Sequence, residues 1–438
     1  MQSYPYAFHI ALDGSGLNGL DGRAGVCIFL FDPESGGHAY KVTYFEGVAG
    51  GHAPNVDEGR RVGYLGNMGQ HLLFYDAATA EEVDRVSTLR FEVPDTTIKS
   101  STHVVWLDGP EFLAAIGDHF WKFDVNRLTK AEAVAPHLLK IPHAMKQTAS
   151  GRYIAYGGMD HPSTGEAREV GVLDLTTGTA KRVPLPTTCW HLVCHPVLDV
   201  FYAISFRVVP RDGRDWQEWG MAYSREYAYE IDAETGQVLR HWSAGREVPA
   251  HINSDVCISD SELIFCTGGS QSVVLIDLTS MATHRLIDEN PGLLGLNQYP
   301  RQAAQTVVDS LARGSVFTNA NLHLAALQVS GGALTDGIYA CQLSKDQTLL
   351  FTANRGQNHI TVYDYPSLEL RMRVPMPELQ EFDPRLSAWS DPRLGFHHSY
   401  LVSPRHDTTF VRPEHYSGRK EEEPDERSQS DSGEELGR

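Results

Sequence analysis

The chain has 438 residues, 41% hydrophobic and 10% aromatic, enough apolar material for a large packed core. Its 37 basic and 56 acidic residues leave a formal charge of −19. That balance excludes nucleic acid and anionic membrane surfaces as main partners, because both require a basic face. No run of about 18 uncharged apolar residues is present to form a membrane-spanning helix.

Read from its start, MQSYPYAFHIALDG has no basic stretch followed by an apolar run and does not read as a signal peptide. The six cysteines, Cys27, Cys189, Cys194, Cys257, Cys266 and Cys341, form no CxxC pair. They read as reduced thiols of a cytoplasmic protein. Residues 14–22 (GSGLNGLDG) are glycine-rich but precede a strand pattern and not a helix, so they read as a loop.

From there one pattern recurs seven times: an alternating apolar run that ends in Asp, in several cases followed by a Thr-Gly or Ser-Gly turn. The runs end at Asp32, Asp76, Asp124, Asp174, Asp232, Asp277 and Asp364, and each is followed by a second short strand. Alternation marks half-buried strands, and the Asp/Thr/Gly cluster marks a hairpin turn. The spacings are 44, 48, 50, 58, 45 and 87 residues. The first five suit one four-stranded blade each, and the last a blade plus roughly 40 inserted residues. Upstream of most hairpins lies a further 16-residue strand–turn–strand pattern, such as HAPNVDEGRRVGYLGN from His52 and HAMKQTASGRYIAYGG from His143. It predicts the two inner strands of a blade. The expected fold is all-β, a seven-bladed β-propeller over residues 1–413, with a helical insertion at 285–336 between blades six and seven. Residues 414–438 are expected to form a disordered acidic tail, because they bury too little apolar surface to fold.

These repeats resemble the YVTN-type and cytochrome-d1-type propellers, whose repeats read "PHxxxxSPDGRYxYVxNxxxxxVxVID"; residues 142–175 fit that template best. The resemblance covers most of residues 20–405 and implies a fold, not a chemistry. Blade one has its outer hairpin at 26–46 but no clear inner pair. Residues 395–413 are expected to supply that pair and close the ring, which leaves the role of residues 4–12 ambiguous.

The innermost strand of every blade lines the central channel, so equivalent positions converge on the axis. His52, His103, His143, His191 and His251 open the inner-strand repeat in blades two to six. Tyr339 takes that place in blade seven, and His397 or His398 in blade one. Imidazole suits Fe, Cu, Zn and Ni. A ring of neutral ligands would keep the ion's charge and leave a position open for O₂ or a substrate. A single histidine here has another reading: its ring can hydrogen-bond the neighbouring blade. His71, His119, His137, His161 and His195 fall off the register and read as surface or turn residues. His323, in the insertion, is a candidate to reach the channel mouth.

Tyr339 is the candidate catalytic residue, as a proton donor or hydrogen-bond partner to a bound ligand. Arg207, Arg211, Arg214, Trp216 and Trp219, in a lengthened turn of blade five, read as a solvated loop or as contacts for a carboxylated or aromatic substrate. An axial histidine ring resembles that of the carotenoid-cleavage oxygenases, which implies ferrous iron on four histidines. It also resembles the layout of the selenium-binding proteins (methanethiol oxidases), which implies histidine-bound copper. Nitrous-oxide reductase is a poorer likeness, because its secretion signal and separate copper domain are missing here. Three functions compete. The first is a metal-dependent oxidase or oxygenase using Fe(II) or Cu on a small organic molecule. The second is a redox-silent lyase or lactonase similar to the YVTN-like lactonases and streptogramin lyase, which use a divalent metal or axial histidines as acid and base. The third is a non-catalytic interaction propeller.

Overall fold

The computed structural model describes residues 4–13, 23–67, 69–91, 100–159, 167–207, 227–243, 253–267, 271–289, 337–382 and 392–403. In chain order the strands are β1 (Tyr6–Leu12), β2 (Arg23–Phe31) and β3 (His38–Ala49), then β4 (Gly51–Asp57), β5 (Val62–Asn67), β6 (His71–Asp76) and β7 (Glu82–Ser87). Blade three holds β8 (Val104–Trp106), β9 (Glu111–Ile116), β10 (His119–Asp124) and β11 (Ala131–Pro136). Blade four holds β12 (Pro142–Gln147), β13 (Tyr153–Gly158), β14 (Glu169–Asp174) and β15 (Thr179–Pro184). Blade five holds β16 (Thr188–Cys194), β17 (Val200–Arg207), β18 (Tyr227–Asp232) and β19 (Val238–Ser243). Blades six and seven hold β20 (Asn253–Ile258), β21 (Glu262–Thr267), β22 (Ser272–Asp277) and β23 (Ala282–Asp288), then β24 (Ile338–Leu343), β25 (Leu349–Asn354), β26 (His359–Asp364) and β27 (Leu370–Pro375). The last strand, β28 (Phe396–Val402), pairs with β1. The result is seven antiparallel four-stranded sheets. Their innermost strands β28, β4, β8, β12, β16, β20 and β24 adjoin in a closed circle. This is the expected all-β seven-bladed propeller.

Each recurrent aspartate has a structural task. In six of the seven, all but Asp364, the carboxylate accepts a backbone N–H two or three residues on, as Asp76 does from Ala78 and Thr79, both at 2.9 Å. Asp174 accepts from Thr176 at 2.9 Å, and Asp277 from Ser280 at 2.7 Å. The fourth residue after the aspartate then turns left-handed: Ala80, Gly178, Gly236, Met281 and Leu368 all have positive φ. Aspartate side chains favour such turns because they mimic a backbone acceptor.

Blade one differs from expectation. Residues 396–402 supply its innermost strand alone, and residues 6–12 supply the second strand, giving the order β28-β1-β2-β3. The alternation of YAFHIAL permits this, since its residues are buried between two neighbouring strands. Residues 285–288, placed in the insertion by the repeat spacing, are the end of β23. The helical stretch of that insertion, His161, His251 and His323, and the acidic tail lie outside the described residues. So do Arg211, Arg214, Trp216 and Trp219; Arg207 closes β17. The six cysteines form no disulfide. Among the described residues, no helix is long and apolar enough to cross a membrane.

The core lies between the blades. Phe351 of blade seven, for example, packs on Tyr6, Phe8 and Phe31 of blade one with ring centroids 5.6–6.0 Å apart. Equivalent apolar clusters join every adjacent pair of blades, and each buried large side chain contributes roughly 1.5–3 kcal/mol. Towards the axis the strands approach so closely that no side chain fits. A Cβ on Gly66 would stand 1.8 Å from the Thr102 carbonyl oxygen, and one on Gly157 2.3 Å from that of Trp190. Gly157→Ala therefore has to push blade five outward. We expect a loss of roughly 1–3 kcal/mol, the usual cost of overpacking, measured as a lower denaturation midpoint in urea.

Candidate metal centre

The inner strands are bulged where they carry histidine. On β4, His52 and Ala53 together stand opposite Gly66, between the pairs Gly51–Asn67 and Pro54–Leu65. On β12, His143 and Ala144 stand opposite Gly157 in the same way. On β28, His397 and His398 stand opposite Ala11, between Phe396–Leu12 and Ser399–Ile10. On β16 the register shifts across Thr188, Cys189 and His191. A bulge adds an unpaired residue, bends the strand and re-aims its side chains. Strict alternation would turn one of two consecutive histidines away from the channel; the bulge on β28 brings both inward.

Among the described residues, six imidazoles consequently form one cluster: His52, His103 (just before β8), His143, His191, His397 and His398. Ring centroids are 4.6 Å apart for His52 and His143, 4.5 Å for His52 and His397, and 4.5 Å for His397 and His398. They are 4.3 Å apart for His191 and His398, 4.9 Å for His143 and His191, and 5.1 Å for His103 and His143. Ligand nitrogens of His52, His397 and His398 all lie within 4.8 Å of one another. The Nε2 atoms of His52 and His143 face each other at 2.5 Å.

Two backbone carbonyls fix the tautomers. Nδ1–H of His143 donates to the Trp190 carbonyl at 2.9 Å, and Nδ1–H of His397 to the His52 carbonyl at 3.0 Å. Each ring thus bonds the neighbouring blade with one nitrogen and points the lone pair of the other, Nε2, into the channel. This is how protein metal sites orient their imidazoles. Nδ1 of His398 is buried and has no hydrogen-bond partner among the described residues. An orphaned nitrogen, two Nε2 atoms in close contact and a neutral all-nitrogen donor set fit a borderline transition-metal ion.

Burial holds the cluster neutral. It pushes His143 down to about 4 and His397 to about 3, the latter helped by the nearby Arg355 charge. Burial also lowers His52, His103, His191 and His398 well below the usual imidazole range, with repulsion from the other rings adding to it. No carboxylate contributes to the shift of any of these six rings.

Two walls flank the rings. On one side Trp190 lies 5.3 Å from His143 and packs on Ile141 and Met159. On the other, Tyr339 lies 5.6 Å from His397, with the Arg355 guanidinium 5.1 Å above its own ring. Arg355 is almost fully buried and pairs with Asp13 at 2.6 Å, while its Nη1 donates to the Phe396 carbonyl at 3.2 Å. Tyr339 therefore borders the cluster as the repeat predicts. Arg355, Asp13 and Trp190 were not legible as neighbours of the site, although Trp190 directly precedes His191 and Arg355 directly follows the blade-seven repeat.

Of the off-register histidines, the described ones, His71, His119, His137 and His195, stay out of the cluster, with one correction. His137 is buried and not a surface residue: Nε2–H donates to the Gly117 carbonyl at 2.8 Å, and its ring packs on Phe120. It also accepts the Tyr156 hydroxyl at its backbone oxygen, so it ties blade three to blade four. His195 is a turn residue whose Nδ1 accepts the Val197 and Leu198 amides at 3.1 Å.

Fold and site together define a seven-bladed propeller with a dry, neutral imidazole cluster on its axis. The sequence matches no protein-family model and no curated protein.

The depressed imidazoles set a pH dependence. Below pH 6.5 the unfolded chain takes up protons that the folded cluster refuses, so stability falls with pH, until the folded rings also protonate near 4 for His143. Each ring that stays neutral contributes a slope of about 1.4 kcal/mol per pH unit across that window. Urea midpoints of chelator-treated protein should drop steeply from pH 6.5 to 4.5, and His143→Gln should flatten the curve.

Proposed function

We propose that the chain is a metal-dependent oxidase or oxygenase of a small organic molecule, with iron or copper held by axial histidines. One observation carries the reading: His143 and His397 donate Nδ1–H to backbone carbonyls and present Nε2 lone pairs to a shared buried centre. His52 and His398 complete the nearest donor set, and His103 and His191 stand beside it as further donors or supports. The ion, when bound, supplies a Lewis-acidic and redox-active centre with positions left for O₂ or substrate. The protein's part is to exclude water, fix the tautomers and hold every donor uncharged. Tyr339, at the rim beside His397, is placed to donate a hydrogen bond to a bound molecule.

A redox-silent lyase or lactonase working through histidine acid–base chemistry fits less well. Its acid would be an imidazolium, and burial disfavours the protonated form at all six rings. A pure interaction platform gives no reason to bury six imidazoles together at a desolvation cost.

Metal content by plasma mass spectrometry, on protein purified without chelators, tests the proposal. Near-stoichiometric iron or copper is expected. Magnesium, calcium or zinc would instead favour the lyase reading, and no metal even after reconstitution would refute a metal enzyme. His143→Ala and His398→Ala should each lower occupancy about ten-fold or more with an unchanged circular dichroism spectrum, as loss of a metal-site residue commonly does. Full occupancy in both variants would refute the ligand set.

A further inference from the structure

The bulge that carries histidine on β4, β12 and β28 recurs on β20 with different residues. There Ser254 and Asp255 stand opposite Cys266, between the pairs Asn253–Thr267 and Val256–Phe265. Blade six therefore meets the axis with a carboxylate at the level where blades one, two and four present imidazoles.

Hydrogen bonds fix where that carboxylate lies. Asp255 Oδ2 accepts from Cys341 N at 3.3 Å and Gln342 Nε2 at 3.2 Å, both on β24. It also accepts from Ser399 N at 3.1 Å and Ser399 Oγ at 2.6 Å, on β28. Oδ1 accepts from Val256 N at 3.0 Å. In the circle of inner strands β24 stands between β20 and β28. A side chain of blade six that bonds main-chain N–H groups of both strands runs along the axial side of β24.

These bonds bear on one ring in particular. Within its sheet β28 pairs only with β1, so its inward edge has no ladder partner. On that edge Ser399 directly follows His398. Its N–H and hydroxyl are taken by Asp255, and its carbonyl by Gln342 Nε2 at 3.2 Å. Left bare, such buried backbone groups would cost about as much as lost hydrogen bonds. His143 and His397 are oriented by their own Nδ1–H bonds to carbonyls. His398 has no such bond among the described residues. Its direction is set by the backbone that carries it, and Asp255 holds that backbone.

We propose that Asp255 is the positioning residue of the histidine centre: it clamps Ser399, fixes the bulge of β28 and so aims His398 at the site shared with His52 and His397. Its part in metal binding rests on the oxidase or oxygenase reading; its hold on the His398 ring does not.

The first test adds one equivalent of copper(II) chloride to chelator-treated protein and records binding and the electron paramagnetic resonance spectrum. Asp255→Ala should weaken copper about ten-fold or more, as loss of a group that orients a metal ligand commonly does, and should change the nitrogen splitting. Ser399→Ala keeps the main-chain bond and should weaken copper about three-fold, the worth of one hydrogen bond; it serves if the first variant fails to fold. Leu263→Ala, a core truncation in the same blade, should melt lower and leave the copper spectrum unchanged. An equal spectral change there, or wild-type copper binding in both other variants, would overturn the role. The second test uses metal-free protein with nitrogen-15 histidine. The His398 ring signals, assigned by their loss in His398→Gln, should move in Asp255→Ala and in Ser399→Ala while those of His143 stay. Unmoved His398 signals would overturn the clamp. Moved signals together with no copper bound by wild type would uphold the clamp and remove the metal reading.

Discussion

The closeness of neighbouring inner strands is the constraint on which the site depends. Seven strands share one narrow axis, and at Gly66 and Gly157 the next blade's backbone occupies the space a side chain would need. The residues opposite those glycines are the bulged His52–Ala53 and His143–Ala144 pairs. Glycine on one strand and a bulge on its partner are therefore parts of one device. The first lets backbones touch, and the second spends the extra residue on an inward-pointing ring. Rings brought to 4.3–5.1 Å in this way are largely buried from solvent.

Charge is managed strictly around that dry centre. The buried guanidinium nearest to it, Arg355, is neutralised by Asp13 from the start of the chain. The buried carboxylate beside it, Asp255, is saturated with neutral donors, although burial raises its pKa. Such groups are tolerated in an interior only when paired or fully hydrogen-bonded.

Much of this was legible in sequence because a propeller writes the same local instruction repeatedly. The aspartate that ends each third strand has a fixed turn to build, so it recurs wherever the turn does. The first inner-strand position has a fixed place at the axis, so histidines there announce a cluster. What sequence hid were properties that arise between repeats. Whether His397 or His398 faces inward has no answer under alternation, and the bulge opposite Ala11 makes the answer both. The pairing of Asp13 with Arg355 spans almost the whole chain and belongs to no repeat. His137 carries no pattern of its own, yet the gap between blades three and four needs its ring as a donor to Gly117.

The closing strand gives the site an unusual history. Two of the six clustered imidazoles, His397 and His398, sit on β28, which follows the other described strands in sequence and pairs with β1, the first of them. A nascent chain emerging from the ribosome can build blade after blade and still hold an incomplete cluster. The six-ring cluster therefore comes into being when β28 pairs with β1, in the same event that closes the circle of blades.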